Sequence, residues 1–97
     1  MSLPSATKQI ILSCVVKHLS KTEYKVLLFG SYAKNRSKET SDIDIAIKSS
    51  TPLDLATWAA IEGDIEESEI PQPVDVIDYL RVSKEFQDLI DTEGVVL

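Results

Sequence analysis

Apolar residues recur along this chain with two different periods, and the switches between them mark out its elements. From Pro4 to Leu19, the residues Ile10, Ile11, Cys14, Val15 and Leu19 recur at helical spacing and form one stripe of an amphipathic helix. Pro4 suits the first turn of that helix, where a missing N–H costs nothing. Val26, Leu27, Leu28 and Phe29 then form an unbroken apolar run that stops at Gly30, the pattern of a strand buried on both faces. After a polar stretch, Asp42-Ile43-Asp44-Ile45-Ala46-Ile47 alternates with period two and predicts a second strand. Thr51-Pro52-Leu53-Asp54 carries the marks of a helix start: a capping hydroxyl, proline in the first position and a carboxylate in the first turn. Leu55, Trp58, Ala59 and Ile65 are expected on the inner face of that helix, which must stop before Pro71 and Pro73. Val74-Asp75-Val76-Ile77-Asp78 reads as a third strand. Ser83 caps a last helix with Phe86, Leu89 and Ile90 on its buried side; Gly94 ends it, and Val95-Val96-Leu97 closes as a short strand.

With a short helix after Gly30, this order predicts helices packed on a small central sheet, an α/β (α+β) fold. Ninety-seven residues leave room for one domain, 1–97. Ten Lys and Arg stand against sixteen Asp and Glu, for a net charge of −6. Coating duplex nucleic acid needs clustered cations, so nucleic acid is not expected as a stable partner. A small phosphorylated ligand held with metal stays open. The single cysteine, Cys14, cannot form an internal disulfide and reads as a small buried hydrophobe. No apolar run approaches the roughly 20 residues of a membrane span, and Met1-Ser2-Leu3-Pro4 lacks the pattern of a signal peptide. The expectation is a soluble, cytoplasmic chain with no membrane partner.

Two features break the patterns kept elsewhere. Gly30-Ser31 follows directly on a buried strand, where glycine permits positive φ and close approach of a ligand to the main chain. A following helix would aim free N–H groups at an anion, with the Ser31 hydroxyl as an added donor. A lone Gly-Ser also ends ordinary turns. The second feature is Asp42 and Asp44. Alternation places Ile43, Ile45 and Ile47 toward the core and both carboxylates on the opposite face. Carboxylates two apart on a strand stand roughly 6.6 Å apart along its axis. Their repulsion grows in a cleft, and a divalent cation such as Mg²⁺ relieves it; a solvated polar face is the plainer alternative.

If the third strand lies beside the second, Asp75 can join Asp42 and Asp44 on one face. Three converging carboxylates would hold two divalent ions and leave an oxygen near an acceptor hydroxyl. Asp78, near the strand end, reads as solvated or as a partner for a nearby Lys or Arg. Between the glycine turn and the second strand, Lys34-Asn35-Arg36-Ser37-Lys38 concentrates three of the ten cations, either as solvated surface or as a polyphosphate contact. His18 reads as a partly exposed residue suited to a helix C-terminus, and Trp58 as core. Tyr24, Tyr32 and Tyr79 could each stack a base.

Gly30-Ser31, ten intervening residues and then Asp42-x-Asp44 resemble the signature of the DNA polymerase β-like nucleotidyltransferase superfamily. The longer strings Leu28-Phe29-Gly30-Ser31-Tyr32-Ala33 and Ser41-Asp42-Ile43-Asp44-Ile45-Ala46 resemble its minimal nucleotidyltransferase (MNT) family most closely, as does Val74 to Asp78. The likeness runs from the first strand to Leu97. It implies a mixed sheet with helices on one side. Gly30 and Ser31 would hold the terminal phosphates of a nucleotide, with Lys34 and Arg36 as further nucleotide contacts. Asp42 and Asp44 would bind two Mg²⁺ ions, and Asp75 would share a metal and help deprotonate the attacking hydroxyl. Where the family usually has Arg-Gly this chain has Lys34-Asn35; Asn tolerates left-handed backbone, and Lys keeps the charge without the bidentate fork.

The resemblance further implies transfer of a nucleoside monophosphate, AMP from ATP, to a hydroxyl. Minimal members commonly serve as antitoxins of small helical HEPN proteins, some of which they adenylylate on tyrosine. Such a HEPN-like partner is expected here, with a homodimer or a heterotetramer as the assembly. The rival readings are a non-catalytic module that neutralises its partner by occlusion, and a metal-dependent phosphohydrolase acting on nucleotides.

Overall fold

The apolar runs become a four-stranded sheet in the computed structural model, which describes residues 3–21, 23–34 and 41–97. The elements follow in the order α1 (Ser5–Leu19), β1 (Tyr24–Phe29), β2 (Ile43–Ser49), α2 (Leu55–Glu66), β3 (Val74–Asp78), a 3-10 turn (Tyr79–Arg81), α3 (Lys84–Glu93) and β4 (Val95–Val96). The strand order is β3-β2-β1-β4. β2 runs antiparallel to β1 and parallel to β3, so the sheet is mixed. β4 adds two residues antiparallel to Leu27 and Leu28 of β1.

The period-two pattern of β2 sorts its side chains as the sequence requires. Ile43, Ile45 and Ile47 are fully buried beneath α1 and α2, against Ile11, Val15, Leu19, Ile61 and Ile65. Burying an isoleucine of this kind contributes about 1.5–3 kcal/mol, so this layer carries most of the stability. The opposite face holds a smaller cluster of Leu27, Phe29, Ala46, Tyr79 and Ile90, with Phe86 packed against it. Helices therefore cover both faces of the sheet, not one side alone. The alternate residues of β1 on the second face are apolar and need a cover, and α3 supplies it, with the Phe29 and Phe86 rings edge-to-face at 5.8 Å.

Other expectations shift for local reasons. Pro4 takes the extended cap position of α1 instead of lying in its first turn. Ser31 to Lys34 form a turn and not a short helix, closed by the Lys34 N–H donating to the Gly30 carbonyl at 3.1 Å. α2 starts at Leu55, later than the Thr51-Pro52 signal indicates. The reason is Asp78, which is buried rather than solvated: its carboxylate accepts the Leu53 N–H at 2.8 Å, and Arg81, paired with Asp78, donates to the Leu53 carbonyl at 2.7 Å. Leu53 is thus pinned to the end of β3. With the start displaced, Leu55 is 71% exposed and Ala59 is exposed as well. Trp58, Ile61 and Ile65 face inward instead.

Trp58 is half-buried, and its indole N–H donates to the Val76 carbonyl of edge strand β3 at 2.9 Å. Leu89 of α3 is exposed, leaving Phe86 and Ile90, one turn apart, to face the sheet. Ser83 caps α3 as expected, accepting the Phe86 N–H, and Gly94 ends it. Cys14 is half-buried against the main core, and burial is the first cause that holds its thiol above the ordinary range. Among the described residues no helix is long and apolar enough to cross a membrane.

Candidate active site

Strand register brings the sequence-predicted acids together. In the parallel β2–β3 pair Asp44 lies opposite Asp75, and in the antiparallel β1–β2 pair Asp44 lies opposite Phe29. Gly30 therefore leaves the sheet directly beside the Asp44 carboxylate. Its φ is +74°, in the left-handed region, and a side chain there would strike Oδ2 of Asp44. Glycine is required at this position twice over, for its backbone handedness and for room.

The three acids are unequal. Asp44 is half-buried, whereas Asp75 and Asp42 are exposed, and Asp42 lies one residue before β2 instead of within it. The Asp44 carboxyl is pushed up to about 6, first by burial, then by the charges of Asp75 and Asp42, and by a hydrogen bond with the Asp75 carboxyl. Among the described residues, no three acids or imidazoles close into a ready-made metal cage. Mg²⁺, however, is usually held by one or two carboxylates with substrate phosphates completing the shell. Two adjoining carboxylates, Asp44 and Asp75, with Asp42 in electrostatic reach of Asp44, fit that chemistry.

Ser31 sits half-buried at the start of the turn. The next residue, Tyr32, is 3% exposed and belongs to the main core, with its hydroxyl accepting from Gln72 Nε2 at 3.1 Å. Tyr32 therefore anchors the turn and is not open for stacking. Tyr79 is likewise buried, its hydroxyl donating to Asp91 at 2.7 Å and Lys48 Nζ lying 4.4 Å from its ring centre. Lys34 forms an ion pair with Glu93 in the last turn of α3, at 2.6 Å. Arg36 and Asn35 lie outside the described residues. His18 is half-buried and meets Asp64 of α2 at 2.7 Å, joining the two helices.

Sequence reasoning missed Gln72 and Glu93. Gln72 stands between two prolines with no periodic context, and Glu93 reads as one more acid on a polar helix, so only the folded arrangement reveals them.

Comparison with known proteins shows what the chain as a whole is similar to. A relative from Haemophilus influenzae, named Probable protein adenylyltransferase MntA, is 36% identical over 75 residues, 77% of this chain and 66% of that protein. A Methanocaldococcus jannaschii relative, also named for protein adenylyltransferase activity, is 34% identical over 91% of this chain and 90% of its own length. Among solved structures, a toxin–antitoxin with AMP-PNP superposes with a TM-score of 0.77 at 25% identity, covering 92% of this chain and 70% of that one. Residues 15–97 match the family model described as Polymerase beta, Nucleotidyltransferase. The chain belongs to the polymerase β nucleotidyltransferase family.

Proposed function

We propose that this chain moves AMP from ATP onto a hydroxyl in a magnesium-dependent reaction, the acceptor being a tyrosine of a small helical HEPN-like toxin for which it serves as antitoxin. The single observation that carries the reading is the register that sets Asp44 against Asp75 and beside the positive-φ Gly30. The relatives named for protein adenylyl transfer, and the toxin–antitoxin neighbour holding AMP-PNP, support AMP and a protein partner.

In this reading the Gly30 main chain and the Ser31 hydroxyl hold the terminal phosphates, with Lys34 and Arg36 as further cations for them. Lys34 would exchange its Glu93 pairing for phosphate when the nucleotide arrives. Asp42, Asp44 and Asp75 would hold Mg²⁺, two ions by the family pattern, which supplies neutralisation of the charge on the phosphoryl oxygens. Asp75, exposed on the edge strand, is the acid open to an incoming hydroxyl and accepts its proton. The half-buried Asp44 fixes the floor of the site.

The test is mass spectrometry of the candidate partner after incubation with this chain, ATP and Mg²⁺. A gain of one AMP unit on a partner tyrosine is the expected result, lost with Asp44→Asn. No gain, with neutralisation retained by Asp42→Ala/Asp44→Ala, would replace transfer by occlusion. Steady release of free phosphate without any acceptor would make the chain a phosphohydrolase.

A further inference from the structure

The hydroxyl of Tyr32 has a partner from far along the chain. Gln72 Nε2 donates to it at 3.1 Å, across 40 residues of sequence. Tyr32 lies in the glycine turn, directly after Ser31, and its ring is sunk in the core cluster with Ile43, Ile45 and Ile65. That cluster occupies the face of the sheet beneath α1 and α2, whereas Asp44 alternates with Ile43 and Ile45 onto the other face. Gln72 therefore reaches the turn from behind the carboxylates, and its hydrogen bond goes to the turn.

The backbone of Gln72 is placed as firmly as its side chain. Pro71 and Pro73 flank it, each fixing its own φ, and a residue before proline is biased to extended conformations. The carbonyl of Pro73 accepts the Ile43 N–H at 2.9 Å, and from there the register sets Asp75 against Asp44. Two neighbouring residues thus make two ties. Gln72 is bonded to the turn that follows β1, and Pro73 to the start of β2 between Asp42 and Asp44. Gly30, Asp44 and Asp75 are joined by this short path, through groups that lie behind them.

The energetics argue against a purely structural role. Oε1 of Gln72 is buried, and it has no hydrogen-bond partner among the described residues. A buried oxygen without a donor costs at least as much as one neutral hydrogen bond contributes, so an apolar pair of the same size would serve the core equally well. What the amide adds is direction. A hydrogen bond fixes where the Tyr32 hydroxyl sits, whereas an apolar contact would let the turn slide.

Resting on the transferase reading above, we infer that Gln72 is a positioning residue for the nucleotide. Through Tyr32 it holds the glycine turn at a fixed distance from Asp44 and Asp75, so that the terminal phosphates meet the acids without rearrangement. Such placement matters because a shift of about 1 Å in a reacting group lowers a rate roughly a hundredfold.

The test uses Tyr32→Phe, Gln72→Met and the double variant, which remove polar atoms while nearly keeping side-chain size. A single variant leaves one polar group unpaired and melts lower; the double variant removes both and should melt within a few degrees of the parent. In the double variant, without nucleotide, the Lys34 amide that donates to the Gly30 carbonyl should exchange with solvent about tenfold faster, with the Ile43 amide at the parental rate. AMP-PNP with Mg²⁺ should bind about tenfold more weakly by calorimetry. In AMP transfer, the KM for ATP should rise by the same factor and the KM for the acceptor protein stay unchanged.

Parental exchange at Lys34 with parental AMP-PNP affinity overturns the assignment. So does equal acceleration at Lys34 and Ile43, because the pair would then support the fold and nothing more. The transferase reading fails separately: weaker AMP-PNP binding in the double variant, with no AMP transfer even by the parent, removes the reaction and leaves Gln72 positioning a nucleotide-binding turn.

Discussion

Two carboxylates in this molecule show how differently its regions treat charge. Asp64, in the helical layer, is met by His18 at 2.7 Å and Lys17 at 3.4 Å, and the hydrogen bond from His18 is the first cause holding its carboxyl below the usual range. Asp44, on the other side of the sheet, has carboxylates as its named neighbours, and burial with their charge pushes it up to about 6. At Asp64 the helical layer pairs the charge it carries. The site gathers like charges around a glycine, with no ion pair to offset them at Asp44 among the described residues. Such a conflict between local rules and local structure is what functional positions display.

That contrast is broken most severely from the apolar side. Ile45, next to Asp44 in β2, is fully buried on the opposite face beneath the helices. Ile45→Asp would bury a charge with no partner, a cost of several kcal/mol that a domain of this size does not survive. The expected outcome is loss of the cooperative thermal transition followed by circular dichroism. A soluble variant that melts cooperatively would mean that the faces of β2 are reversed. Gly30→Ala comes next, since it adds left-handed strain of about 1–2 kcal/mol and a methyl group against Asp44. The variant should stay folded with a lowered Tm, and adenylyl transfer should fall by more than its stability loss explains. Transfer at the parental rate would show that the close approach of the turn to Asp44 is irrelevant to the reaction.

Trp58→Phe is milder. It keeps the ring against the core and removes the N–H that serves the Val76 carbonyl on the edge of the sheet. A lost bond of this kind contributes about 1 kcal/mol. Urea unfolding should show that decrease with transfer unaffected; a large loss of activity would tie β3 geometry, and so Asp75, to this single bond.

How far the sequence foretold these regions follows from what each depends on. β2 was legible because its alternation is a local pattern, and one residue of slip would have exposed three isoleucines. The meeting of Gly30 with Asp44 was legible in part, because glycine ends the apolar run of β1 and alternation sets Asp44 on the face away from the isoleucines. The start of α2 was misread, since Thr51-Pro52 is a sound local signal overruled by a long-range one: Asp78, twenty-five residues on, holds the Leu53 N–H. The Lys34–Glu93 and Gln72–Tyr32 contacts join segments 59 and 40 residues apart, and no window on the chain contains both partners. Helices on both faces had the same origin, because an unbroken apolar run in β1 states that both faces are covered without saying by what.

The finest test sets Asp44 against Asp64 in a chelated, metal-free preparation. The carboxyl of Asp44 binds its proton more tightly folded than unfolded, so its contribution to stability is present below about pH 4 and lost as pH rises through about 6. For Asp64 the folded carboxyl is the stronger acid, so its contribution is present above the ordinary carboxylate range and lost as pH falls below it. Asp44→Asn should therefore raise Tm at pH 8 relative to pH 4, whereas Asp64→Asn should lower Tm at pH 8 and approach the parent in acid. Asp64 is a surface pair, so its effect is the smaller of the two and shrinks in high salt. If Asp44→Asn instead lowers Tm at pH 8, the carboxylate is held by the fold itself, and the view of the site as a repulsive cluster awaiting a cation fails while the helical layer is unaffected.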